Sequence, residues 1–435
     1  MQLTRAEIHE RVVAIVEKIV DDDLEFDELD NGITDDTLLT SDLGMESLHY
    51  VEMAVAIEEG LGRKIGFHDL MMGGGRHRED LRVSELVDFI DGRVNPAEHS
   101  TPEVRTDSAG SVSIRHRLTA ATLDRFKAIV PQGVPIRVDP ALGKNRPAAF
   151  VLCAPRSGST LFRVMLAGHP RLFAPPELHL LQYPTLDERR RVYSYEVNNH
   201  LLEGTIRAVM HLYAMDAEGA RRFMEECESR EMPSRECYAM LQDRLGERLL
   251  IDKTPAYSYS SEFLRRAELY FEDPLFIHLV RHPYASFRSF LDAKLDRFFP
   301  FMWRNRASFS PEEFAELNWL LCNRNITEFL SAIPVERQLA VRFEELVEAP
   351  RPTMVRVSEF LGVPFDQEMI EPYKEKDQRM TVGAAKVSRM AGDLKFYLHQ
   401  KIDPEASTRW KRFDTGEGLS DLTWDLARSL GYQKN

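Results

Sequence analysis

The chain has 435 residues, 43% hydrophobic and 9% aromatic, enough for two or three domains with packed cores. Its four cysteines stand far apart with no C-x-x-C pair, which excludes a disulfide framework and a zinc ribbon; they read as buried thiols, and no metal is expected. No run approaches the ~20 consecutive apolar residues of a membrane span, and the opening MQLTRAEIHE has no apolar signal region, so the cytoplasm is the expected compartment, with neither membrane nor nucleic acid as partner. The net charge of -14 falls entirely within residues 1–60, where seventeen acids meet three bases; the remainder is balanced at 53 of each. One acidic module has been joined to a neutral one.

In chain order, RAEIHERVVAIVEKIV (5–20) places Ile8, Val12, Ile15 and Ile19 at helical spacing and predicts a first amphipathic helix. An acidic loop follows, then SDLGMESLHYVEMAVAIEEGLG (41–62), in which Leu48, Val51 and Val55 repeat the stripe from a helix that starts at Ser47. After the glycine run Gly73 to Gly75, VSELVDFIDGR predicts a last helix with Val83, Leu86, Val87 and Ile90 facing inward. A serine at such a position is commonly a helix N-cap. Here it lies in Leu43-Gly44-Met45-Glu46-Ser47-Leu48, and residues 1–95 resemble an acyl or peptidyl carrier protein, whose pattern L-G-x-D-S-L is kept except for Glu46. The resemblance implies an all-α four-helix carrier bundle with a 4'-phosphopantetheine arm on Ser47, attached by a phosphopantetheinyl transferase and carrying an acyl thioester. A helix start, with free backbone N–H groups and a positive dipole end, suits the phosphodiester of that arm.

NPAEHSTPEVRTDSAG (95–110) is small and polar and predicts a linker; with a helix expected around TAATLDRFKAIV it makes residues 96–145 a linker and entry segment. From 146 to 435, the short apolar runs AAFVLCA (148–154), RLLIDK (248–253), LFIHLVR (275–281) and QLAVRFE (338–344) are separated by helical stretches. They predict an α/β domain with a central parallel sheet flanked by helices, and ligands at the carboxyl ends of its strands.

The polar residues of interest cluster at those ends. After the first strand come Arg156, Ser157, Gly158, Ser159 and Thr160: a glycine that lets backbone approach an anion, hydroxyl donors, a helix N-terminus and a planar cation. The nucleotide-triphosphatase spacing G-x-x-x-x-G-K-S/T is absent, since Cys153 stands five residues before Gly158 and Ser159 occupies the lysine position, so a kinase is disfavoured. After the third strand, Arg281-His282-Pro283 opens a helix that brings Ser289 back toward the strand end.

P-R-S-G-S-T followed by R-x-P with a serine eight residues after the arginine resembles the sulfotransferase family, over residues ~146 to 435. The resemblance implies a P-loop-like fold whose first loop holds the 5'-phosphosulfate, and whose Arg281 and Ser289 hold the 3'-phosphate, of 3'-phosphoadenylyl sulfate (PAPS), leaving adenosine 3',5'-bisphosphate as product. Arg156 is the candidate for the bridging oxygen of the leaving phosphate, with Lys253 as helper. Two bases stay open: Glu177, in FAPPELHLL beside His179, and His399, in GDLKFYLHQKIDPEASTRWK, a segment resembling carrier-associated sulfotransferases of polyketide assembly lines. No spacing argument secures Arg409, Trp410 or Lys411.

Together the two resemblances imply the carrier–sulfotransferase part of a polyketide synthase module of the curacin and olefin synthase type. The expected reaction moves a sulfuryl group from PAPS to a hydroxyl, foremost the β-hydroxyl, of an acyl chain on Ser47, with other synthase modules or domains as partners. The alternatives are a sulfotransferase acting on a free or partner-borne alcohol, with the carrier as docking module, and a non-catalytic scaffold.

Overall fold

A computed structural model describes residues 4–23, 32–39, 41–43, 45, 53, 56–57, 65, 80–95, 118–139, 141, 143–193, 199–293, 295–297, 299–305, 307–375, 379–380, 396, 399–412 and 418–434. The chain divides into two compact units, one within residues 1–110 and one within residues 111–435.

In the first unit, helices α1 (Arg5–Asp23) and α2 (Val83–Val94) pack together. The buried stripe of α1 is Ile8, Val12, Val16 and Ile19, with Ile15 only partly covered: at 3.6 residues per turn Val16 falls nearer the centre of the face. Val83, Leu86, Val87 and Ile90 of α2 are fully buried against it, and Leu39, Leu43 and Met45 join the same core. Each buried aliphatic side chain contributes ~1.5–3 kcal/mol. The chain between is tied back where Leu39 N–H donates to Leu81 O at 2.9 Å and Val83 N–H to Thr37 O at 3.1 Å. Ser47 and the linker at 96–110 lie outside the described residues; of the helix expected to start at Ser47, the described Met53 and Ile57 are helical and buried in the same core.

The second unit is built on a five-stranded parallel sheet: β1 (Ala148–Leu152), β2 (Leu172–Phe173), β3 (Leu249–Lys253), β4 (Leu275–Val280) and β5 (Gln338–Arg342), in the order β2-β3-β1-β4-β5. Four strands follow the apolar runs of the sequence; β2, only two residues long, gives no such signal. In β1, Ala148, Phe150 and Leu152 enter one core while Ala149 and Val151 enter the other, since successive side chains point to opposite faces. The expected entry helix is present as α3 (Ala120–Ile129), capped by Thr119 and anchored through Leu123 and Phe126 in the core of the second unit.

This strand order creates the site. From β1 the chain runs out through α4 (Ser159–Ala167) to edge strand β2, returns through β3, then crosses to β4 on the other side of β1. The connections diverge at β1, and at such a switch point the carboxyl ends leave a crevice. The loop after β1, Lys253 at the end of β3 and Arg281 after β4 all lie there. Among the described residues no helix is long and apolar enough to cross a membrane.

Candidate active site

The loop from β1 into α4 turns through two left-handed residues, Arg156 at φ 69° and Gly158 at φ 81°. At Gly158 the conformation and the space both demand glycine: a Cβ would lie 2.2 Å from Cδ2 of Phe343. Phe343 opens helix α8 (Phe343–Glu348) after β5, and the guanidinium of Arg281 lies over its ring, 4.4 Å from the centroid. The phenyl ring thus sets the distance between the β1 loop and the arginine after β4. Ser157 is fully buried, and its hydroxyl has no hydrogen-bond partner among the described residues. An orphaned donor in a glycine-lined cradle at a helix N-terminus fits an anionic ligand. Ser159 and Thr160 form the first turn of α4.

Helix α7 (Pro283–Asp292) returns Ser289 to this loop, where its Oγ accepts a 3.1 Å hydrogen bond from Arg156 Nε. Arg281 Nη1 donates to the carbonyl oxygen of Arg156 at 3.2 Å. Arg156 therefore joins Arg281 and Ser289 in one hydrogen-bonded group. Because a hydroxyl can accept and donate at once, Ser289 keeps its own O–H for a ligand.

The turn at Arg281-His282-Pro283 is clamped from behind. Its Arg281 carbonyl accepts from Trp319 Nε1 at 2.9 Å, and His282 N–H donates to Glu344 Oε1 at 2.9 Å. Glu344 also accepts the hydroxyl of Tyr432 at 2.7 Å. The His282 ring stacks on Trp410, centroids 3.6 Å apart at 11°. Burial, with Lys411 and Arg281 nearby, pushes His282 down to about 3, so it stays neutral in ordinary buffers. The sequence left Trp410 unplaced; its ring is a support for this turn.

On the other side of β1, Lys253 donates from Nζ to Glu177 Oε1 at 2.6 Å. Lys253 is 2% exposed, whereas Glu177 keeps about a third of its side chain open (34%), so the carboxylate is the partner that can meet a substrate. His179 Nε2 stands 3.4 Å from Glu177 Oε2. Burial raises the Glu177 pKa, but Lys253 and His179 overcome that and hold it well below the usual carboxylate range. Beneath them Cys153 is buried, which pushes its thiol up to about 12 and keeps it protonated at neutral pH.

Helix α5 (Glu203–Tyr213) covers the Glu177 backbone so closely that a Cβ on Gly204 would sit 1.9 Å from the Glu177 carbonyl oxygen. Gly204→Ala should displace the helix and the carboxylate together, costing ~1–3 kcal/mol. Thermal unfolding should show a midpoint several degrees lower, with turnover reduced; an unchanged midpoint and rate would refute this close approach.

His399 is set apart from this pair. Its backbone N–H donates to Phe396 O at 3.2 Å, and its ring centroid lies 6.5 Å from that of Tyr373. Among the described residues no hydrogen bond or ion pair joins it to Glu177, Lys253 or Arg156. The structure thus joins Arg156, Arg281 and Ser289, pairs Glu177 with Lys253, and links His399 to neither group. Phe343, Gly204 and the clamp behind Arg281 had no sequence signal, because each acts through a tertiary contact.

A sequence profile described as Sulfotransferase family matches residues 147–367. Nodulation protein NoeE of Sinorhizobium fredii is 27% identical over 303 residues, 66% of this chain and 66% of that protein, so the match spans just under two thirds of that relative. Among solved structures, the sulfotransferase domain from the curacin biosynthetic pathway aligns with a TM-score of 0.61 at 36% identity, covering 67% of this chain and 100% of that one. The sulfotransferase domain from the Synechococcus PCC 7002 olefin synthase aligns with a TM-score of 0.60 at 36% identity, covering 69% and 99%. With the phosphate-type loop after β1, the Arg281 turn after β4 and a profile match over half its length, the chain belongs to the sulfotransferase family.

Proposed function

We propose that the protein transfers the sulfuryl group of PAPS to the β-hydroxyl of an acyl chain held as a thioester on a 4'-phosphopantetheine arm at Ser47, releasing adenosine 3',5'-bisphosphate. The observation that carries the donor half is Arg156, tied at once to Ser289 Oγ and, through its carbonyl, to Arg281. This draws the ends of β1 and β4 into one cationic wall beside the buried Ser157 hydroxyl. A ligand with anionic groups at two separate points suits that wall better than a simple nucleoside monophosphate.

In the proposed step the acceptor oxygen attacks sulfur while the bond from sulfur to the phosphate oxygen breaks, its electron pair leaving with the phosphate. Positioning and positive charge supply most of the acceleration, as in phosphoryl transfer. Arg156 and Lys253 provide that charge, and Glu177 receives the hydroxyl proton. The 2.6 Å ion pair keeps Glu177 ionised and aimed; as Lys253 turns toward the developing charge on the phosphate, the carboxylate is released as a stronger base. His399 is assigned to the acceptor side, as a contact for the acyl arm.

The acceptor half rests on the Leu43 to Leu48 motif and on similarity to the sulfotransferase domains of the curacin biosynthetic pathway and of an olefin synthase. Ser47 itself lies outside the described residues. In this reading a phosphopantetheinyl transferase loads Ser47, other synthase modules or domains supply and consume the acyl chain, and tethering raises the acceptor to an effective concentration of about millimolar.

The test is intact-protein mass spectrometry after loading Ser47 with a 3-hydroxyacyl-phosphopantetheine and adding PAPS. The expected result is a gain of one sulfuryl group on the acyl arm, absent from Ser47→Ala. No gain over several chain lengths, in a protein that sulfates a free alcohol, would overturn the tethered acceptor and favour the carrier as a docking module.

A further inference from the structure

Beside Glu177, His179 is held in a way its neighbours in sequence do not require. Its backbone is left-handed, at φ 53°, a conformation costing a non-glycine residue ~1 kcal/mol or more. The amides on either side are pinned to the turn after strand β3: Leu178 N–H donates to Thr254 Oγ1 at 3.2 Å and Leu180 N–H to the Tyr257 hydroxyl at 3.0 Å. Both hydroxyls donate onward to the buried carboxylate of Asp252, each at 2.8 Å. Tyr238, in helix α6 (Ser234–Leu245), donates to the same carboxylate at 2.5 Å. One buried anion thus orders the segment that turns His179 toward Glu177.

The ring has a defined tautomer. Nδ1 lies 2.7 Å from Gln182 Oε1, which also accepts the Tyr193 hydroxyl at 2.9 Å. A carbonyl oxygen only accepts, so Nδ1 carries the proton and Nε2 presents a lone pair. That Nε2 is buried, makes no hydrogen bond, and stands 3.4 Å from Glu177 Oε2. The other oxygen, Oε1, is engaged by Lys253. Two lone pairs facing each other repel; a single proton between them makes the contact favourable.

We propose that His179 is a positioning residue acting through Glu177: it takes from Oε2 the proton that the acceptor hydroxyl releases and so keeps that carboxylate ready for the next hydroxyl. This rests on the sulfuryl-transfer reading above. The O–S bond forms, the S–O bond to phosphate breaks with its electrons on the phosphate, and the proton moves from the hydroxyl to Oε2 and on to Nε2. The products are a sulfate ester, the nucleotide bisphosphate and an imidazolium hydrogen-bonded to a restored carboxylate. Glu177, ion-paired with Lys253, is a poor place for a proton to stay, and an imidazole is ordinarily the better base. The groups facing His179 are Glu177, Tyr193 and, behind it, Asp252, with Lys253 on the far side of Glu177. His278 and His282 are pushed down to about 4 and about 3 and do not supply a titration near neutrality.

Nitrogen NMR of the full chain labelled in histidine, without substrates, tests the shared proton. Neutral His179 should carry its proton on Nδ1, and Glu177→Gln should shift its Nε2 resonance, because the carboxylate that faces that nitrogen is gone. A neutral tautomer protonated on Nε2, or an Nε2 resonance indifferent to Glu177→Gln, would overturn the proposal. In turnover, His179→Gly, a residue at ease with the left-handed backbone, should lower kcat ~10²-fold. It should spare affinity for adenosine 3',5'-bisphosphate, and free imidazole should restore rate. A loss of rate that imidazole does not restore, with nucleotide affinity intact, would assign His179 a structural role and overturn the proton transfer. The NMR coupling in a chain that transfers no sulfuryl group from PAPS would instead overturn the reaction and still support the shared proton.

Discussion

Lys253→Met is expected to lower kcat for sulfuryl transfer by roughly 10³-fold, the scale seen when a preorganised charge donor is removed from a transition state. The methionine keeps most of the buried volume, so the fold should survive; what disappears is the ammonium 2.6 Å from Glu177. The pH dependence should change with it. In the native chain Glu177 has a depressed pKa and stays ionised down to strongly acidic solution. Its pairing therefore contributes stability above the ordinary carboxylate range, near pH ~4, and loses that contribution as pH falls through the depressed value. Without Lys253, burial is the largest remaining influence on Glu177 and acts upward, so the acid limb of turnover should rise with that carboxylate. Glu177→Gln should reduce kcat comparably while leaving no carboxylate to titrate. Stopped turnover measured from pH 5 to 9 checks both, and a Lys253→Met enzyme with native rate would remove Lys253 from the mechanism.

Gly158→Ala is expected to abolish nucleotide binding. The added methyl would meet the Phe343 ring at 2.2 Å while the backbone is held at φ 81°, so either the loop or the phenyl ring must leave. Phe343 also carries Arg281, so a shift at one end of the nucleotide wall is transmitted to the other. Milder variants separate the two ends. Arg281→Ala and Ser289→Ala should each weaken adenosine 3',5'-bisphosphate by ~10- to 100-fold, the worth of one charge-assisted hydrogen bond. Adenosine 5'-phosphate should suffer less, though not nothing, because both side chains also steady Arg156. Calorimetry with the two ligands decides: equal losses would mean that Arg281 and Ser289 serve only to hold the loop.

Much of this site could be read from single stretches of chain. The apolar runs ending in P-R-S-G-S-T, D-K-T-P and R-H-P marked three strand ends of a parallel sheet, and four of its five strands followed those runs. Arg156, Lys253, Arg281 and Ser289 were legible because each belongs to a local motif. The two-residue strand β2 was not, since so short a segment has no period to detect. The phase of the α1 stripe also needed the packed helix, where Val16 displaced Ile15 from the centre.

The sequence by itself determined the chemistry available: a loop suited to an anion, a lysine at a strand end, a carboxylate with a histidine two residues on, and an acidic module bearing Ser47. Local composition suffices for that, because a left-handed glycine, a helix N-terminus and a buried strand are each dictated by a few consecutive residues. Only the tertiary structure decided which of these groups meet. Glu177 reaches Lys253 across 76 residues, and Arg156 reaches Ser289 across 133, because the strand order sets β3 and β4 on either side of β1. Strand order is a property of the whole packed sheet, and no periodicity along the chain encodes it. The same holds for His179, whose backbone is bent toward Glu177 by hydroxyls gathered on Asp252, a carboxylate 73 positions away in sequence that only folding brings beneath it.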